Sequence, residues 1–141
     1  MNIDRAADWA SRRKHGTLIT LRADGRAQSS DIVYRVVDGS FLISLTDGRA
    51  KTTNIRRDPR TVLHISAPDS WSYLSFDGIT GLSAVTTEAT DETSDALVDY
   101  YRTVAGEEHE DWSAYRQAMI DEKRLIATFT PGNVVGQING D

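Results

Sequence analysis

The segment TLITLRADGRAQSSDIVYRVVDGSFLISLT, residues 17–46, constrains the fold more than any other part of the chain. Three stretches of strand-like, period-two character (17–21, 27–37 and 40–46) are joined through ADG and DG. Asp-Gly supplies the positive φ of tight hairpins, so the stretches read as an antiparallel meander. In the middle stretch Ile32, Tyr34 and Val36 fall on one face and Val33, Arg35 and Val37 on the other, because successive strand side chains point to opposite sides. Apolar groups on both faces call for cover on both, which points to a barrel or a subunit interface.

The remaining segments extend this pattern. Ile3, Ala7 and Ala10 recur at helical spacing after Asn2 and Asp4, either of which can accept from free amides, so a short helix is expected to end near Gly16. Residues 49–58 lack alternation and read as a helix stopped before Pro59. TVLHIS (61–66) is a fourth strand, and WSYLSFDGITGLSAV (71–85) a long fifth one after a turn at Pro68, with Gly78 and Gly81 as bulge or bend positions. Two helices follow. Leu97, Tyr100 or Tyr101, and Val104 mark the first, closed by Gly106; Trp112, Tyr115 and Met119 mark the second, with acids in HEDW at its start and bases in EKR at its end. RLIATFTPGNVVG (124–136) closes the set. The expectation is an α+β fold, a small closed barrel of about six antiparallel strands with inserted helices, and one domain over residues 1–141, since 141 residues suit a single core.

Composition removes several function classes. The chain has no cysteine, which excludes disulfides, thiolate metal sites and cysteine nucleophiles. His15, His64 and His109 lie far apart without H-E-x-x-H spacing, and no G-x-S-x-G elbow occurs, so neither a metal site nor a serine hydrolase is expected. No apolar run approaches the roughly 20 residues that span a bilayer and no signal peptide is visible, so a cytoplasmic protein away from membranes is expected. A net charge of −5 argues against nucleic acid as a partner.

Against that acidic balance, Arg49, Lys51, Arg56, Arg57 and Arg60 gather five of the sixteen Lys and Arg residues beside one acid, Asp58. A solvated helix face would account for such a run. The position of Lys51 in a helical first turn adds a reason for an anion, because unpaired amides and the helix dipole favour negative charge there. Asn54, three residues on, is expected to share that face, and Arg49 to clamp the same anion bidentately. Arg56 and Arg57 point elsewhere. On the second strand Gln28 and Ser30 share one side and are expected near Ser44 of the third, offering neutral donors beside the anion; edge positions would explain them equally.

The blocks GTLITLRADGRAQSSDIVY, GRAKTTNIRRDPRTVLHIS, WSYLSFDGITGL and YRTVAGEEHEDWSAYRQAMIDEKRLIATFTPGNVVG together resemble the split β-barrel flavin and deazaflavin family related to pyridoxamine 5′-phosphate oxidase. They are most similar to its actinobacterial branch that binds coenzyme F420, and the likeness extends over nearly the whole chain. The resemblance implies an FMN-binding-type split barrel in which Arg49, Ala50, Lys51 and Asn54 hold the cofactor phosphate and tail. Gln28, Ser30 and Ser44 would approach the ring and ribityl chain, and Trp71 and Tyr73 would wall the cofactor or substrate, core packing being the alternative for either. It further implies a homodimer with the cofactor between subunits, and hydride transfer from reduced deazaflavin to a small conjugated or quinone-like acceptor.

Two further readings stay open: an FMN-dependent enzyme on the same barrel, and a carrier that holds a flavin, deazaflavin or tetrapyrrole without turnover. Asp31, Tyr34 and His64 are candidates to protonate an acceptor, and none is assigned as catalytic. Because the chain ends at GQINGD, without the segment that shapes the pyridoxal phosphate pocket, pyridoxamine oxidase activity itself is not expected.

Overall fold

The computed structural model describes residues 1–140. Its elements in chain order are α1 (Ile3–Ser11), β1 (His15–Leu21), β2 (Ala27–Val37), β3 (Ser40–Thr46), α2 (Ala50–Arg57), β4 (Arg60–Ala67), β5 (Ser72–Leu82), α3 (Glu92–Ala105), α4 (Trp112–Asp121) and β6 (Arg124–Gln137). The strands close into an antiparallel barrel in the order β1-β2-β3-β6-β5-β4, which leaves no free sheet edge. The meander read from the Asp-Gly turns is present, with Thr17 opposite Asp31 and Val36 opposite Phe41.

Alternation sorts each strand into an inner and an outer row. Leu18, Tyr34, Phe41, Ile43, Leu63, Leu74, Phe76 and Phe129 point inward and are almost completely buried. Phe41 sits among the rings of Tyr34, Phe76 and Phe129 at 5.2, 5.1 and 5.9 Å, separations at which aromatic pairs attract beyond their buried area. A second cluster of Leu97, Val98, Tyr115 and Ile126 packs α3 and α4 onto the outside of the wall, with Leu42 of β3 against it. On β5 and the far end of β6 the outer row is uncovered, with Val135, Ile79 and Tyr73 exposed, and Trp71 is exposed in the turn before β5.

Four local features differ from the sequence expectation. α1 ends at Ser11, not near Gly16, because His15 already pairs with Val33 and the buried Tyr34 hydroxyl donates to the Ala10 carbonyl at 2.8 Å, tying the helix end to the barrel. Gly78 does lie at a register shift, where a Cβ would meet Phe129 ring carbons at 2.7 Å; Gly81 faces open space and pairs without a shift. Trp71 is not in β5 but in the turn before it, with left-handed backbone (φ 57°, ψ 30°). α4 starts with Asp111 accepting from the Ala114 amide as expected of a cap, but the bases meant for its last turn lie beyond it. Lys123 turns the chain with positive φ, and Arg124 is drawn into β6 opposite Thr46.

Candidate functional site

The site begins where β3 hands over to α2. The Thr52 hydroxyl donates to the Thr46 carbonyl at 2.8 Å and folds the helix start back on the strand. Asn54 then fixes the helix to the barrel: its Nδ2 donates to Thr20 Oγ1 at 3.1 Å and Gln28 Oε1 at 2.8 Å, and its Oδ1 accepts from Arg57 at 2.6 Å. Each polar atom of this buried side chain is satisfied, the condition under which a buried amide stabilises rather than costs.

Lys51, three residues earlier and about 60° round the helix from the inward-turned Asn54, lines a cavity of about 450 Å³ with Ser44, Asp31, Tyr100, Tyr115 and Arg124. The ammonium is half-buried and has no hydrogen-bonding or ionic partner among the described residues. Desolvation lowers its pKa below the ordinary lysine value, and the charges of Arg49 and Arg124 lower it further. Arg49 also has no carboxylate partner among the described residues, whereas Arg124 pairs with Glu122 at 2.9 Å. Lys51 thus feels two arginines, Arg124 within the lining and Arg49 beside it, a repulsion that an entering anion relieves.

The cavity wall opposite is aromatic. The Tyr100 hydroxyl donates to the Val33 carbonyl at 2.7 Å and burial raises its pKa. Tyr115, pushed up to about 12 chiefly by burial, donates to the Leu97 carbonyl at 2.9 Å. Both hydroxyls are therefore neutral and already engaged. Beyond His15, Asp31 and Ile32, which both spaces share, a groove of about 300 Å³ runs on past Thr17 to His64 and Ser66. The His64 ring stacks on Tyr73 with centroids 5.7 Å apart.

The structure therefore brings together only part of the predicted set. Ser44 and Lys51 line the cavity, Arg49 lies close enough to act on Lys51, and Ala50 is exposed at the first position of α2. Asn54 stands next to Lys51 along the helix, but its amide is bonded to Thr20, Gln28 and Arg57 and it does not line the cavity. Gln28 and Ser30 pair with the inward-facing Thr20 and Leu18, so they belong to the inner row, while Ser44, opposite Ile126, belongs to the outer one. The expected grouping of Gln28 and Ser30 with Ser44 fails because they stand on opposite faces of the wall. Trp71 is 81% exposed and sits apart from both cavity linings, and Tyr73 reaches the groove only through His64.

Of the candidate proton donors, Tyr34 is buried and bonded to Ala10, with its pKa raised by burial, while Asp31 and His64 face the groove. His15, Tyr100, Tyr115, Met119 and Arg124 line the cavity without having been singled out for it. Their spacing signalled only helix packing and a strand start, and nothing local to them marks a pocket.

No family model matches the chain. Among solved structures it is similar to the conserved hypothetical protein Rv2991 from Mycobacterium tuberculosis, with 22% identity and a TM-score of 0.76 over 96% of this chain and 84% of that one. It is also similar to an F420 reductase, at 20% identity and TM-score 0.65 over 91% and 94% of the two chains. A third is an FAD-binding protein from Mesorhizobium loti, at 12% identity and TM-score 0.67 over 96% and 92%. The fold is the α+β split β-barrel of the pyridoxamine 5′-phosphate oxidase type.

Proposed function

We propose that this protein is an oxidoreductase that binds a phosphorylated flavin-type cofactor, with F420 as that cofactor, and passes a hydride to a small conjugated or quinone-like acceptor. The observation that carries the reading is Lys51: a half-buried ammonium with no partner among the described residues, flanked by Arg49 and Arg124 at the rim of a 450 Å³ cavity. Such a donor set fits a phosphate, which gains charge-assisted contacts and relieves the repulsion that Lys51 feels from the two arginines. The extra positive charge suits an acidic tail as well as a phosphate, which favours F420 over FMN.

When bound, the cofactor supplies the hydride chemistry; the protein binds, orients and excludes water. Lys51 and Arg49 would hold the phosphate and Ser44 would stand beside it on the outer row. Tyr100 and Tyr115, neutral and hydrogen-bonded to backbone carbonyls, would give the cavity a flat apolar wall. The cavity volume lies within the range usual for cofactor sites.

The reading includes a homodimer. Trp71, Val135, Ile79 and Tyr73 are 81, 57, 51 and 41% exposed on the side of the barrel that α3 and α4 leave bare, and large exposed apolar groups of this kind mark an association surface. A second copy on that face would wall the groove through Tyr73. Light scattering is expected to give about twice 15.6 kDa, and a monomer saturated with cofactor would remove the shared site.

Titration of the purified protein with F420 and, separately, with FMN, followed by tryptophan fluorescence, tests the assignment. Tight saturable quenching by F420 with weak FMN binding is expected. The reverse order would make this an FMN protein of the same fold, and tight binding of F420 without oxidation of its reduced form by any of a panel of acceptors would make it a carrier.

A further inference from the structure

Thr17 of β1 lies opposite Asp31 of β2 on one side and His64 of β4 on the other; His64 in turn lies opposite Ser75 of β5. Directly paired residues point to the same face, so Asp31, Thr17, His64 and Ser75 form one polar row across the outside of the barrel. On one side of the row Ile19 and Val62 pair between Ser29 and Asp77, and on the other Val33 flanks it beside His15. His64 and Asp31 have no ionic or hydrogen-bonding partner among the described residues, although both line the groove that continues from the Lys51 cavity.

We propose that this groove receives the hydride acceptor and that His64 donates the proton that accompanies the hydride. The inference rests on the reading of the Lys51 cavity as a cofactor site. Two strand spacings separate Asp31 from His64, roughly 10 Å, which leaves room over Thr17 for one flat molecule. Ile19, Val33 and Val62 give that molecule apolar borders, Thr17 gives it a hydroxyl, and the stack on Tyr73 sets the plane of the His64 ring. These features select a flat, largely apolar compound with a conjugated carbonyl oxygen.

In the step itself the acceptor gains two electrons and one proton as hydride, and the reduced cofactor is oxidised by the same two electrons. A new C–H or O–H bond forms at the site of attack. His64 breaks its N–H bond to protonate the carbonyl oxygen that becomes electron-rich, and the neutral imidazole regains a proton from water through the open groove. The groups on the same face around His64 that also carry or change charge are His15 on β1, Asp31 on β2, and Tyr73 and Asp77 on β5.

The test uses protein labelled with nitrogen-15 at its three histidines, His15, His64 and His109, and menadione as the probe. His109, packed among Tyr101, Trp112 and Tyr115, is the internal control. Menadione is expected to shift His15 and His64 saturably while His109 stays in place, with and without oxidised F420. If F420 binds but menadione leaves His15 and His64 unmoved, the acceptor site is refuted and the cofactor reading survives. If menadione moves them but F420 does not bind, the cofactor reading fails and the groove stands as a site for flat carbonyl compounds. Single-turnover oxidation of bound reduced F420 by menadione then separates donation from binding. His64→Gln should be at least tenfold slower at neutral pH and should lose the solvent deuterium isotope effect that proton donation gives the wild-type rate. The same isotope effect and rate in both proteins would reject His64 as the donor.

Discussion

Two neighbouring side chains of helix α2 have opposite fates. On the barrel side Asn54 satisfies every polar atom it has, bonding Thr20, Gln28 and Arg57. On the cavity side Lys51, three residues earlier, has no partner among the described residues and lies in the field of two arginines. One spends its polar groups on stability and the other holds charge in reserve for a ligand. The difference teaches that a cluster of polar residues on one short helix has to be divided by what each atom already touches before any of it is assigned to binding.

The sharpest way to break this contrast is to remove the satisfied side. Asn54→Ala leaves Thr20, Gln28 and Arg57 with lost partners, and unfolding in urea should show a loss of about 2–4 kcal/mol, since each abandoned buried group costs about 1–3 kcal/mol. A change below about 0.5 kcal/mol would mean that α2 is held by something else. Lys51→Ala should do the reverse. F420 affinity falls by about 1.5–3 kcal/mol, roughly ten- to a hundredfold, while urea stability of the cofactor-free protein stays within about 0.5 kcal/mol because no native contact is lost. Equal F420 affinity in the two proteins would end the phosphate assignment.

Asp91 sharpens the comparison from a second satisfied group. Desolvation pushes its pKa up, but hydrogen bonds from the amides of Thr87, Ser94 and Glu88 and from the Thr86 hydroxyl outweigh it and hold the carboxyl at about 2. It caps α3, and Asp91→Ala should cost about 1–2 kcal/mol at neutral pH. Because the folded pKa is depressed, this stability is fully present above the ordinary value near 3.8 and fades as pH falls toward 2. Thermal unfolding of the two proteins should therefore converge across that window; a constant gap would deny the carboxylate its role. The smallest effect belongs to Glu122→Gln. Freeing Arg124 from an accessible ion pair should raise F420 affinity by a few-fold at most, since such pairs contribute about 0–1 kcal/mol.

The barrel was readable because alternation and Asp-Gly turns act locally: β2 and β3 begin and end where residues 27–37 and 40–46 predicted. α1 was read too long because the Ala10–Tyr34 hydrogen bond that ends it is made 24 positions away. Of the cavity lining, the sequence singled out Lys51, Ser44 and Asp31. Gln28 and Ser30 were read on the right strand, but their face relative to Ser44 depends on how β2 and β3 sit in a closed wall, and Asn54 was assigned by spacing alone. His15, Tyr100, Tyr115 and Arg124 meet at the cavity through β1, α3, α4 and β6, a convergence that no spacing along the chain records.

The central claim is that Lys51 waits for an anion, and proton uptake on binding tests it most directly. Its pKa is depressed in the free protein, and a bound phosphate should restore it, so binding F420 at a pH between the depressed and the restored values must take up protons. Calorimetric titrations just below the ordinary lysine pKa of 10.5, in buffers of different ionisation enthalpy, should show net uptake in the wild type and little in Lys51→Ala. Binding of F420 with the same affinity and no proton uptake in either protein would contradict the account.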